Sequence, residues 1–103
     1  MKDYKTYVIY KIYQIDNPEL IYIGSTTNYS QRKSNHKKSC NNRVSKKYKY
    51  PLYQYIRACG GWDKFTIEKV EENPYNSKDE MLLREKELID LLQARLNTIK
   101  PIG

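Results

Sequence analysis

The run TYVIYKIYQI, residues 6–15, then DNPE, then LIYIGS, residues 20–25, constrains the fold more than any other stretch. β-branched and aromatic residues dominate both outer runs, which is strand composition. Asp16 to Glu19 between them are turn formers and include a proline. The two runs are therefore expected to pair as an antiparallel hairpin. Gly24 is expected to end or kink the second strand and to let another backbone or a ligand come close.

After the hairpin the pattern turns helical. From Asn28 to about Lys38 there is neither Pro nor Gly, and Asn28 or Ser30 can cap a helix. On such a helix Tyr29, Arg32, His36 and Cys40 share one side. Residues 39–50 read as a basic loop. PLYQYIRAC, residues 51–59, opens with Pro at a first helical position and stops before Gly60-Gly61. Its apolar stripe is Leu52, Ile56 and Cys59. WDKFTIEKVEE holds a third strand with Phe65 and Ile67 on one face, and NPYN, residues 73–76, reads as a loop. Ser77-Lys78-Asp79-Glu80 fits a capping box that opens a last helix over about 78–94. The order β-β-α-α-β-α predicts an α+β fold: a small three-stranded antiparallel sheet flanked by helices. The length of 103 residues suits one domain, 1–103, and no internal repeat is visible.

The last helix carries the most informative anomaly. At about 100° per residue, Met81, Leu82, Leu88, Ile89, Leu92 and Leu96 fall within about 60° of position 85. Position 85 is a glutamate. A carboxylate there reaches solvent along its stem, pairs with Arg32 or holds a metal ion, because burial alone is costly.

Charge narrows the partners. The net charge is +7. Residues 30–50 hold Arg32, Lys33, Lys37, Lys38, Arg43, Lys46, Lys47 and Lys49 without one acidic residue. A basic block among tyrosines, eleven in the whole chain, suits a phosphate backbone. Basic surfaces also bind acidic proteins and membranes. There is no membrane-spanning apolar run and no secretory-signal pattern. Cys40 and Cys59 are the only cysteines and read as free thiols of a reducing compartment, which places the chain inside the cell, in cytoplasm or in nucleus or nucleoid. His36 and Cys40 resemble half a zinc site but lack the further ligands such a site wants.

The ordered set of motifs resembles the GIY-YIG nuclease domain. VIY at 8–10 stands where that family carries Gly-Ile-Tyr, YIG at 22–24 matches its second motif, and eleven residues separate Tyr10 from Tyr22. Arg32 and His36 follow on the first helix. GGWDKF at 60–65 is similar to the entry to the third strand, and Glu85 with Asn97 before Pro101 resembles the closing signature. The resemblance spans about residues 6–101. Val8 replaces the first glycine, at a position that supplies no side-chain chemistry. Relatives often carry an added DNA-binding region after the nuclease module, and this chain stops at Gly103.

The resemblance implies a metal-dependent DNA endonuclease. Tyr10 is implied as base, with Tyr22 and His36 positioning water or relaying its proton. Arg32 offers its planar fork to phosphate oxygens. Glu85 holds one divalent ion, Mg²⁺ or Mn²⁺. Gly24 and Asn97 support the site. Lys33, Lys37, Arg43, Lys46, Lys47 and Lys49 are the expected nucleic-acid contacts. Tyr7, Tyr13, Tyr53 and Tyr55 are assigned to core packing. With no appended recognition module, sequence preference is expected to be weak, or supplied by a homodimer or a partner protein. Two other readings compete: a non-catalytic nucleic-acid-binding module of the same fold, and a basic interaction domain for an acidic protein. Six retained site residues favour the enzyme.

Overall fold

In a computed structural model the chain is described over residues 5–97. Its elements are β1 (Lys5–Gln14), β2 (Asn17–Thr26), α1 (Tyr29–Asn41), α2 (Pro51–Ala58), β3 (Phe65–Tyr75) and α3 (Lys78–Leu91), with 3₁₀ turns at Trp62–Lys64 and Arg95–Asn97. The sheet is antiparallel in the order β2-β1-β3, so β1 is central and β2 and β3 are edges. The expected α+β architecture and element order are present. Pro101 lies outside the described residues.

The boundaries differ from expectation in instructive ways. Asn17, Pro18 and Glu19 belong to β2, and the hairpin turns over Ile15 and Asp16. The register jumps from Tyr13↔Ile21 to Gln14↔Asn17, so Pro18–Leu20 bulge out of the ladder. An edge strand tolerates a proline there because its missing N–H need not pair. Pro74 likewise sits in edge strand β3, which runs through the stretch expected to be a loop. Gly24 neither ends nor breaks β2; it pairs with Tyr10 inside the ladder.

The helices start where capping chemistry puts them. The Asn28 side chain accepts from the Gln31 N–H at 3.1 Å, Pro51 opens α2, and the Ser77 hydroxyl accepts from the Glu80 N–H at 3.2 Å. Gly60 and Gly61, at φ of 111° and 104°, turn the chain out of α2. Helix α1 runs to Asn41, so Ser39 and Cys40 are helical and buried. Helix α3 ends earlier than expected. Gln93 takes a φ of 51°, and the chain folds back as a 3₁₀ turn that sets Leu96 and Asn97 beside β2.

Two clusters form the core. One joins Val8, Tyr10 and Ile12 of β1 to Phe65 and Ile67 of β3, to Cys40 of α1, and to Leu52, Tyr53 and Ile56 of α2. The other joins Ile9 and Ile23 of the sheet to Leu88 and Ala94, with Ile89 and Leu92 packed against it. The alternation along β1 thus sends α1 and α2 to one face of the sheet and α3 to the other. Leu82, expected inward, is 42% exposed, and Leu83 and Leu91 are more so.

Candidate active site

Helix α1 spans the boundary between core and solvent. Arg32 is exposed, whereas His36, one turn later, is 5% exposed. The imidazole is held from both sides. Its Nε2 lies 2.7 Å from the Tyr10 hydroxyl and its Nδ1 lies 2.7 Å from the Tyr53 hydroxyl. Trp62 stacks on the ring, with centroids 6.2 Å apart and planes 14° apart. Tyr22 meets its edge at 6.3 Å.

Electrostatics fix the charge of this chain of groups. Burial, reinforced by Arg32 and Lys47, lowers the His36 pKa to about 4, so the ring is neutral at physiological pH. A neutral imidazole donates through one nitrogen and accepts through the other. One of the two phenols therefore donates to His36 and the other accepts. Burial and the neighbouring Tyr22 push Tyr10 far above the ordinary phenol range, against the pull of Arg32. Tyr53 is raised to about 12, chiefly by burial. Among the described residues no buried side-chain nitrogen or oxygen lacks a hydrogen-bond partner.

Two backbone features hold this arrangement. A Cβ on Gly24 would overlap the Tyr10 phenol, lying 2.5 Å from its Cζ. Glycine at that position lets the ring of Tyr10 lie across the paired strand. Asn97 grips the same strand from outside: its Oδ1 accepts from the Ile23 N–H at 2.7 Å and its Nδ2 donates to the Ile23 carbonyl at 2.8 Å.

Glu85 comes from the opposite face. It is half-buried and lines an open pocket of about 480 Å³ with Tyr22, Gly24, Ser25, Thr26 and Arg32. Burial raises its carboxyl, while Ser25 and Arg32 favour the charged form. Tyr22 is raised by burial and by Glu85, and lowered by Arg32. A second cavity, of about 300 Å³, lies on the other side of Tyr22 and Arg32 and is lined by His36, Tyr53 and Asn97 among others. Tyr22 and Arg32 are thus a shared wall, with the carboxylate on one side and the imidazole on the other.

The sequence model of the GIY-YIG catalytic domain matches residues 6–100. The chain belongs to the GIY-YIG family. That family is one of nucleases. No curated protein and no solved structure matches the chain.

Within this GIY-YIG domain, Tyr10, Tyr22, Gly24, Arg32, His36, Glu85 and Asn97 all gather at the β2 edge of the sheet. They do not play equal parts. Tyr10 is wholly buried and lines neither cavity, whereas Tyr22 lines both. Tyr53, assigned to the core on sequence, touches His36 directly. It is buried in the core as expected, but nothing in the sequence pairs a phenol of α2 with an imidazole of α1. Of the six basic contacts expected for nucleic acid, only Lys47 lines a site cavity. Lys33, Lys37, Arg43, Lys46 and Lys49 are exposed and line neither of the two cavities. Arg57 fixes this basic segment by donating to the Cys40 carbonyl at 2.7 Å and the Tyr48 carbonyl at 2.6 Å.

The donor set also bears on a metal. Among the described residues no three His, Cys, Asp or Glu side chains converge, and Glu85 is the one carboxylate lining the open pocket. A hard ion that keeps most of its waters and shares its oxygen ligands with a phosphate fits such a site.

Proposed function

We propose that the protein is a divalent-metal-dependent DNA endonuclease that hydrolyses phosphodiester bonds at the β2 edge. One observation carries this reading: the exposed Arg32 guanidinium forms the wall between a half-buried carboxylate and a buried phenol–imidazole–phenol chain. Phosphodiester hydrolysis needs charge stabilisation at the phosphoryl oxygens, a base for the attacking water and help for the leaving oxygen, and these groups can supply them. Arg32 presents a fork of N–H donors to the phosphoryl oxygens, where charge grows in the transition state. Glu85 would hold one Mg²⁺ or Mn²⁺, which when bound supplies Lewis-acid stabilisation of the phosphate and leaving oxygen.

The remaining residues manage the water and its proton. Tyr22 faces both cavities and is placed to orient the attacking water. Tyr10 sits behind it, with its hydroxyl committed to His36. A neutral His36 whose bare nitrogen faces Tyr10 accepts a hydrogen bond from that phenol while its other nitrogen donates to Tyr53, which fixes Tyr10 and leaves its proton in place. Arg32 lowers the cost of negative charge on either tyrosine. In this scheme Tyr22, ionised beside Arg32, takes the proton of the attacking water as the water oxygen bonds to phosphorus and the sugar oxygen leaves, and Tyr10 holds the geometry from inside the protein.

The test is incubation of plasmid and branched DNA with the protein, with Mg²⁺ and then with chelator. Nicking or linearisation that chelator abolishes is the expected result. Salt-dependent binding with no cleavage under any divalent ion would make the protein a binding module instead.

A further inference from the structure

The 300 Å³ cavity on the His36 side of Arg32 shares Tyr22 and Arg32 with the pocket at Glu85, but the rest of its lining differs. Leu52 and Leu96 give it an apolar floor. At its mouth stands Tyr50, 51% exposed, stacked on Tyr53 with centroids 6.2 Å apart and planes 10° apart. Arg32 and Lys47 put positive charge on its walls, and Asn35 offers an amide that can both donate and accept. Its volume lies at the low end of small-ligand sites.

We infer that this cavity receives one unstacked nucleobase of the strand being cut, adjacent to the scissile phosphate. The inference rests on the nuclease reading. A phosphate against Arg32 leaves its neighbouring nucleoside beside the same wall, because Arg32 and Tyr22 border both spaces. A flat aromatic base matches an apolar floor and an exposed phenol ring, and stacking of that kind tolerates any base. In an intact duplex the base must first leave its stack, which costs least where it is mismatched or unpaired. The substrate class that follows is DNA with an unpaired nucleotide next to the cleaved bond.

The experiment uses the full chain and two labelled duplexes, one fully paired and one with a single unpaired nucleotide. Cleavage rates are measured with Mg²⁺, and affinities by fluorescence anisotropy in chelator. The expected result is cutting beside the unpaired nucleotide at least about tenfold faster, with tighter binding of that duplex. Tyr50→Ala should bring both ratios toward one, and Tyr50→Phe, which keeps the ring, should preserve them. Equal rates and affinities for the two duplexes, or ratios unmoved by Tyr50→Ala, would overturn the inference. If neither duplex is cut, the nuclease reading fails, and the affinity ratio with its Tyr50→Ala control still decides whether the cavity takes a base.

Discussion

Val8, Tyr10 and Ile12 alternate along β1 with Ile9 and Lys11, and the two sets meet different chemistry. Under α1 and α2 the sheet buries phenols and an imidazole among its aliphatic side chains. Under α3 it buries isoleucine, leucine and alanine. The first face is specified by directed hydrogen bonds, because a buried hydroxyl or ring nitrogen left unpaired is costly. The second is held by undirected apolar burial. The aliphatic face is therefore the one from which Glu85 reaches the site. That face supplies a firm apolar support, and the carboxylate at its border turns to Ser25, Arg32 and the open pocket.

This contrast can be broken in several places. Glu85→Gln should have the largest effect, abolishing metal-dependent cleavage while the protein stays folded and still binds DNA. Near-normal cleavage by that variant, measured beside its circular dichroism, would strip the α3 face of any chemical role. Arg32→Ala should lower the turnover rate by about 10²–10³, the usual value of one transition-state donor. Arg32→Lys should recover only part of it, since an ammonium lacks the fork. A weaker binding constant with turnover intact would make Arg32 a docking residue.

Leu88→Ala tests the aliphatic face by itself. Truncating a buried leucine costs about 2–5 kcal/mol. The urea midpoint should fall, while turnover per folded molecule stays unchanged. A loss of turnover in the folded protein would show that the faces are not separable.

The imidazole predicts an acid sensitivity confined to the phenolic face. The pKa of His36 is about 4 when folded and 6.5 as a free group, so the unfolded chain binds the proton first. Its contribution to stability is complete above pH 6.5 and is lost as pH falls toward 4, up to roughly 3 kcal/mol. His36→Asn should therefore lose less stability than the parent between pH 7 and 4.5. Equal acid losses in urea titrations would contradict the buried, neutral imidazole. The smallest effect lies outside both faces. Replacing Lys46, Lys47 and Lys49 with alanine should weaken DNA binding about equally across sequences and flatten the salt slope by up to about three units. A change in sequence preference would instead give the segment a reading role.

Local rules made the hairpin, the caps at Asn28 and Ser77, and the proline start of α2 legible in the sequence. Short-range hydrogen bonds and fixed dihedrals decide such features. The gathering of Arg32, His36 and Glu85 was foreseen through family resemblance and the carboxylate in an apolar stripe. What escaped depends on register and long-range packing. Gly24 looked like a strand end because only the pairing of β1 with β2 reveals Tyr10 opposite it. Tyr53 looked like one more packing tyrosine in a tyrosine-rich chain. Leu92 and Leu96 looked helical because periodicity does not register the left-handed residue at Gln93 that turns the chain.

That turn has a consequence beyond the site. β2 is an edge strand, and outward peptide groups on an edge invite another chain to add a strand and begin aggregation. The carboxamide of Asn97 takes both the N–H and the carbonyl of Ile23. One side chain thus stands in for a peptide unit of an absent fourth strand. The edge is capped beside Tyr22 and Gly24, where a passing strand would otherwise cover the groups that meet substrate.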